Sequence, residues 1–193
     1  NKSLVYINLG VNLLDGTITS AVCSLTRLRE LQIHSNAIGG NIPSCLVQLV
    51  NLNVLYLYLN RFTGSIPPEL GNLVNLYYVD FGFNYLQGQF WPQLAGMGSN
   101  KQRLNYLYMN ANFLTGRIPD AITAHSGLYT LYINGNFFTG PIPTNMGNMS
   151  SLYVFGAHNN LLTGKIPESL SQISVLTELF LENNFLSGPI TNV

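Results

Sequence analysis

Charge is scarce in this chain: over 193 residues, eight Lys plus Arg stand against eight Asp plus Glu, and charged residues make up 8% of the total. With zero formal net charge there is no basic stripe for nucleic acid and no polybasic surface for anionic lipid. Electrostatic steering is therefore not expected. Long apolar runs are missing too. The longest apolar stretch, Leu46 to Leu59, is interrupted by Gln48, Asn51 and Asn53, so it does not read as a membrane span. No segment has the layout of a signal peptide. Cysteine is limited to Cys23 and Cys45, and Trp91 is the single tryptophan.

What the chain has instead is a period. Leu, Asn and Gly return every 24 residues, the signature of a repeat array. One unit reads Leu52, Leu55, Leu57, Asn60, Phe62, Gly64, Ile66, Pro67, and the same frame begins at Leu4, Leu28, Leu52, Leu76, Leu104, Leu128, Leu152 and Leu176. Only the step from Leu76 to Leu104 differs, at 28 residues, which places a four-residue insertion between Trp91 and Arg103. Asn12, Asn36, Asn60, Asn84, Asn112, Asn136, Asn160 and Asn184 keep the frame. A solenoid grows by adding coils and needs no second core, so residues 1–193 read as one domain of eight coils.

Each part of the unit has a physical role. The alternation in L-x-x-L-x-L describes a short strand with its Leu side chains inward, and stacked coils then make a parallel sheet. The Asn that follows carries an acceptor and two donors on a short side chain. Eight in register predict a buried hydrogen-bond ladder serving the backbone of adjacent coils. Gly permits the bend, and Ile-Pro suits an extended segment whose missing N–H is not needed. The return segment, as in Glu69-Leu70-Gly71-Asn72-Leu73, is short and mixed, predicting a 3₁₀ or irregular path.

The unit L-x-x-L-x-L-x-x-N-x-L-x-G-x-I-P resembles the plant-specific leucine-rich repeat, found in ectodomains of plant receptor kinases and receptor-like proteins and in polygalacturonase-inhibiting proteins. The resemblance implies an α/β solenoid: a right-handed superhelix with a concave parallel sheet, a second small sheet from the G-x-I-P segments and a convex back. It also implies an extracellular protein, secreted or at the cell surface. The paired-Cys caps usual in that family stand at neither end of this sequence.

Cys23 and Cys45 fall on the return segments of adjacent coils, two positions apart in the repeat frame. Two readings stay open, a pair of small buried thiols and a disulfide across coils about 4.8 Å apart. Two sequons, beginning at Asn1 and Asn148, lie on or beside a return segment, where a glycan would face solvent.

The variable strand positions face outward on the concave sheet and carry the most functional-looking content. Five such positions in each coil hold ten of the eleven Tyr residues. Nine of them, Tyr56, Tyr58, Tyr77, Tyr78, Tyr106, Tyr108, Tyr129, Tyr132 and Tyr153, lie on coils three to seven, and Tyr6 lies on coil one. Asp80 is the only charge among them, in one column with Tyr56, Tyr108 and Tyr132. The outer coils place Arg29, Glu30, Glu178 and Glu182 there instead. Tyr is a good strand residue, and stacked rings stabilise neighbouring strands by roughly 0.2–1 kcal/mol per pair. It is also a rigid contact residue with one polar tip, which suits a binding surface. The concentration on consecutive coils favours a ligand-binding plate for a neutral peptide, glycan or protein surface.

Catalysis has little support. His34 and His158 lie five coils apart, about 24 Å at strand spacing, and His125 is on a return segment. No cluster has metal-ligand spacing, so neither a metal nor a cofactor is expected. Trp91 begins the insertion, as plain packing or as a protruding contact. Two further classes compete with the recognition module. Coil ends without polar caps would join head to tail as an extracellular filament. A secreted inhibitor of a cell-wall-degrading enzyme is the third, although such a sheet would be expected to carry charge matched to an enzyme cleft.

Overall fold

The computed structural model describes residues 3–90, 96–98 and 104–190. Every coil contributes one short strand to an eight-stranded parallel sheet whose order follows the chain, from Tyr6–Asn8 through Val54–Tyr56, Tyr78–Asp80, Tyr106–Tyr108 and Thr130–Tyr132 to Glu178–Phe180. The strands are three residues long because the third inward Leu already begins the turn. Inward positions are closed off from water: Leu31, Leu55, Val79, Leu107, Leu131 and Phe155 are buried. Each such side chain contributes about 1.5–3 kcal/mol relative to exposure.

The Asn residues join the coils. Asn60 donates from Nδ2 to Leu57 O at 3.1 Å in its own coil and to Ile33 O at 2.9 Å in the preceding one, while its Oδ1 accepts from Ile38 N, again in the preceding coil, at 3.1 Å. Asn36, Asn84, Asn112, Asn136, Asn160 and Asn184 repeat this pattern. The expected burial holds for the five central ones, from Asn60 to Asn160. Asn36 and Asn184 are half-buried, and Asn12 is exposed and bonds only within its own coil. Depth in the stack decides this, since outer coils are covered on one side only.

The second sheet lies earlier in the unit than the G-x-I-P segment. Phe113–Arg117, Phe137–Gly140 and Leu161–Gly164 begin directly after the ladder Asn, whereas Gly39–Asn41 and Gln87–Gln89 begin three residues after it, and no described strand runs more than one residue past the Gly. The amides at these positions are already aligned by the ladder, so pairing starts there. This sheet has five strands from Gln87–Gln89 to Phe185–Leu186, and Gly39–Asn41 pairs with Arg61–Thr63 as a separate two-stranded piece. The return segments are 3₁₀ turns, including Ser44–Gln48, Pro68–Asn72 and Glu168–Gln172, with one four-residue α-turn at Ser20–Cys23.

Cys23 and Cys45 are bridged, their Cα atoms 5.7 Å apart, and so tie the return segments of coils one and two. The offset of two positions in the frame is accommodated because the first return segment is an α-turn and the second a 3₁₀ turn. Asn1, Trp91 and most of the insertion lie outside the described residues.

Replacing Asn60 by Leu leaves the Ile38 N–H and the Ile33 and Leu57 carbonyls without their partner. The variant should lose about 1–3 kcal/mol of stability. Asn12→Leu, which severs no bond between coils, should lose clearly less, and chemical denaturation of the two variants side by side measures the difference.

Candidate functional site

Register turns the long sheet into a grid. Tyr56 pairs with Asp80, Asp80 with Tyr108, Tyr108 with Tyr132 and Tyr132 with Gly156, so these five form one column across the strands. The next column, two residues further along each chain, contains His34, Tyr58, Gly82, Asn110, Asn134 and His158, with the strand amides beside them bonded from coil to coil. A third column, two residues earlier, contains Val54, Tyr78, Tyr106 and Thr130.

The nine Tyr of coils three to seven meet in one continuous patch of ring contacts. Tyr56 touches Tyr58 and Tyr78 at 6.0 and 5.5 Å, Tyr78 touches Tyr106 and Tyr108 at 5.4 and 5.5 Å, and Tyr106 touches Tyr77 and Tyr129 at 5.6 and 5.9 Å. Tyr108 stacks on Tyr132 at 5.6 Å and Tyr129 on Tyr153 at 4.9 Å. His34 extends the patch, its ring 4.3 Å from Tyr56. Tyr6 stands apart on coil one. Tyr77 and Tyr129 are exposed and the other seven half-buried, so the patch is a surface with its ring edges in the sheet. A glycine shapes it: a Cβ on Gly156 would stand 2.5 Å from a carbon of the Tyr132 ring, which lies across that glycine.

The hydroxyls of the central rings lie within influence of one another, Tyr56 of Tyr78, Tyr78 of Tyr108, and Tyr108 of Thr130. Burial, followed by the neighbouring Asp80 charge, raises the Tyr78 phenol well above its ordinary value. Tyr56 and Tyr108 are raised as well, first by burial. These rings are therefore neutral at any physiological pH.

Asp80 is only 5% exposed, deeper than its column neighbours. Its Oδ1 accepts from Gly82 N at 2.8 Å, and among the described residues no cationic side chain pairs with it. Burial pushes the carboxyl up to about 7, against the lowering effect of the Gly82 bond. Asp80 opens into a small recess whose lining also includes Tyr58, Tyr108, Asn110, Tyr132 and Asn134.

The remaining polar candidates lie at or beyond the margin of this patch, Glu178 near enough to Tyr129 and Tyr132 to add, after burial, to the raising of their phenols. His125 is buried on its return segment, and His158 Nδ1 lies 3.9 Å from Glu182 Oε1. Arg29, Glu178 and Glu182 are exposed on the outer coils, with Glu30 half-buried. Among the described residues no three His, Cys, Asp or Glu side chains are grouped to hold a metal. Asn148 is exposed at the end of the turn Met146–Asn148. Sequence reasoning missed an apolar rim: Tyr85, Phe113, Phe137, Leu161 and Phe185 directly follow ladder Asn residues and are all exposed, with Tyr85, Phe113 and Phe137 stacked at 6.2 Å intervals. The signal was in the frame, at the position after each Asn.

The family model for the Leucine Rich Repeat matches residues 51–73 and 127–149, and the eight-coil parallel sheet agrees with it throughout. The chain is a leucine-rich-repeat protein. Among solved structures it is similar to a plant peptide hormone receptor, RGFR1 in complex with RGF2. That match has 34% identity and a TM-score of 0.93, and covers 97% of this chain and 29% of the receptor. It is similar to a TDR receptor at 32% identity and TM-score 0.94, with coverage of 98% and 32%. The Arabidopsis receptor kinase HAESA, in complex with the peptide hormone IDA and the co-receptor SERK1, matches at 31% identity and TM-score 0.88, with coverage of 95% and 30%. The leucine-rich-repeat chain thus spans a third or less of each of these proteins. Among curated proteins no sequence matches it.

The raised Asp80 carboxyl has a stability consequence with a definite sign. Between about pH 4 and pH 7 the folded chain holds a proton there that the unfolded chain releases, so folding stability should fall as pH rises through that window. The slope is at most roughly 1.4 kcal/mol per pH unit. Denaturation curves at pH 4.5 and pH 7.5 should show this loss in the parent chain, and it should shrink in Asp80→Asn.

Proposed function

We propose that this chain belongs to an extracellular recognition module that binds an extended peptide along the concave face of its long sheet, and that it catalyses no reaction. The observation carrying this reading is the continuous patch of nine Tyr rings over five consecutive coils, with Asp80 as its one charge. Rings fixed by stacking lose little freedom on contact, and their edges and hydroxyl tips orient a backbone. The patch is also long enough for an extended segment, since five coils at about 4.8 Å per step span roughly 20 Å. Peptide is favoured over glycan or a protein surface by the molecules bound in the similar structures, RGF2 and the peptide hormone IDA.

A random peptide library displayed against the purified chain tests the proposal. Selected peptides should lose about 2 kcal/mol or more of affinity on Tyr108→Ala or Tyr132→Ala, while Arg29→Ala and Glu182→Ala change it little. If the rings served only strand stacking, both Tyr variants would melt lower and the library would yield no binder.

Passage through a secretory pathway also has a chemical readout. Asn148 is exposed within its Asn-Met-Ser sequon, so chain expressed in plant cells with a secretion leader should carry one N-glycan there. Mass spectrometry should show its mass disappear in Asn148→Gln.

A further inference from the structure

The recess beside Asp80 is lined by acceptors and by rings, with no cation of the chain's own. Its floor is Gly82. Where the same column carries Tyr58 on one side and Asn110 on the other, coil four has no side chain, and the gap opens onto the Asp80 carboxylate. A Cβ placed on Gly82 would stand 2.9 Å from Asn110 Oδ1 and 3.1 Å from Asp80 Oδ1, so both oxygens border the same small space. One coil further, Asn134 Oδ1 is buried without a hydrogen-bond partner and lines the same recess. Asp80 and Asn110 thus offer oxygen acceptors to one volume of about 240 Å³, with the Asn134 acceptor just beneath its surface, and Tyr58, Tyr108 and Tyr132 complete the lining.

We propose that this recess is a specificity pocket for an organic cation, the guanidinium or ammonium head of a basic residue in the bound peptide. The inference rests on the reading of the concave face as a peptide-binding surface and names one residue class that the peptide carries. A buried carboxylate with no internal counter-charge gains most from a donor that brings a positive charge. Asn110 accepts a further N–H group, and the Tyr rings favour a flat or soft organic cation over a strongly hydrated metal ion. The volume suits a single side-chain head and excludes a folded ligand. It also amends the expectation of a wholly neutral ligand: the plate is neutral except at the one point where a cation is wanted.

The test uses the whole chain and two small probes, N-acetyl-arginine methylamide and its uncharged isostere N-acetyl-citrulline methylamide. Both are titrated at pH 8, where Asp80 is ionised, and followed by NMR at the Gly82 amide and the Asn110 and Asn134 side-chain amides. The arginine probe should shift these resonances saturably in the millimolar range, with the citrulline probe at least about tenfold weaker. Gly82→Ala, which fills the gap and keeps the carboxylate, and Asp80→Asn, which keeps the gap and removes the charge, should each weaken the arginine probe by about tenfold. Both variants are to be checked for an unchanged long sheet by their backbone amide spectra. Equal response to the two probes overturns the proposal, and so does no saturable response or an undiminished response in the two variants. Library peptides that bind the Tyr patch but show no enrichment of Arg or Lys would overturn this inference alone and leave the peptide-binding reading standing. A library without binders would remove that reading instead.

Discussion

The amide group of one asparagine per coil is the constraint on which the rest of this structure depends. A three-residue strand followed by a turn leaves backbone N–H and C=O groups that its own coil cannot pair, and buried groups of that kind are costly. The Asn side chain answers them from two coils at once, donating to a carbonyl of its own coil and to one in the coil before, and accepting an amide from the coil before. The turn required is a strained one. The residue before the ladder Asn has positive φ in every coil, including Leu59 at 53° and Phe83 at 52°. A left-handed non-glycine residue costs about 1–2 kcal/mol. The bonds of the ladder offset that cost, and only coil six relaxes it with Gly135.

A ladder with the same offset at every step locks register, and locked register makes surface chemistry additive along columns. This is why nine Tyr separated by up to a hundred residues of sequence meet as one patch. It is also why a missing side chain matters as much as a present one. Gly82 leaves a gap within the grid, whereas Gly156 is covered by the Tyr132 ring from the preceding coil. The difference lies in the neighbours: the Tyr58 ring turns toward Phe83, at 5.4 Å, and so does not cover Gly82.

Much of this was legible in the sequence because a solenoid converts spacing into position. The inward Leu column, the ladder, the short return turns and the pairing of Asp80 with Tyr56 and Tyr108 all follow from a frame that can be counted. Depth and orientation could not be counted. The frame places Asp80 between phenols but does not reveal that its carboxyl sits below them, turned onto the Gly82 amide. Nor does it reveal how the Tyr56, Tyr78 and Tyr108 rings tilt against one another, at 68° and 33°. The second sheet starts one to three residues before the G-x-I-P segment because Gly and Pro mark where a chain bends, while pairing is decided by which amides the ladder has aligned. The apolar rim was overlooked because its residues alternate with core positions and look like part of the core pattern.

The interruption of the frame shows how local the packing rules are. Four extra residues fall between coils four and five, the two coils that build the Asp80 recess. Yet the bonds across that junction match those elsewhere: Phe81 N reaches Tyr108 O at 2.9 Å, Phe83 N reaches Asn110 O at 2.9 Å, and Asn112 Nδ2 reaches Phe81 O at 3.0 Å. Tyr78 faces Tyr106 and Asp80 faces Tyr108 as in an unbroken repeat. The four extra residues of the frame thus leave the pairing of coils four and five unchanged. Each coil meets its neighbour through a strand, an Asn and a few buried Leu, and these contacts do not sense how long the chain took to come back. A repeat protein built this way can alter its back without moving its binding face, so the grid around Gly82 is fixed by the ladder on either side of it and is independent of the insertion.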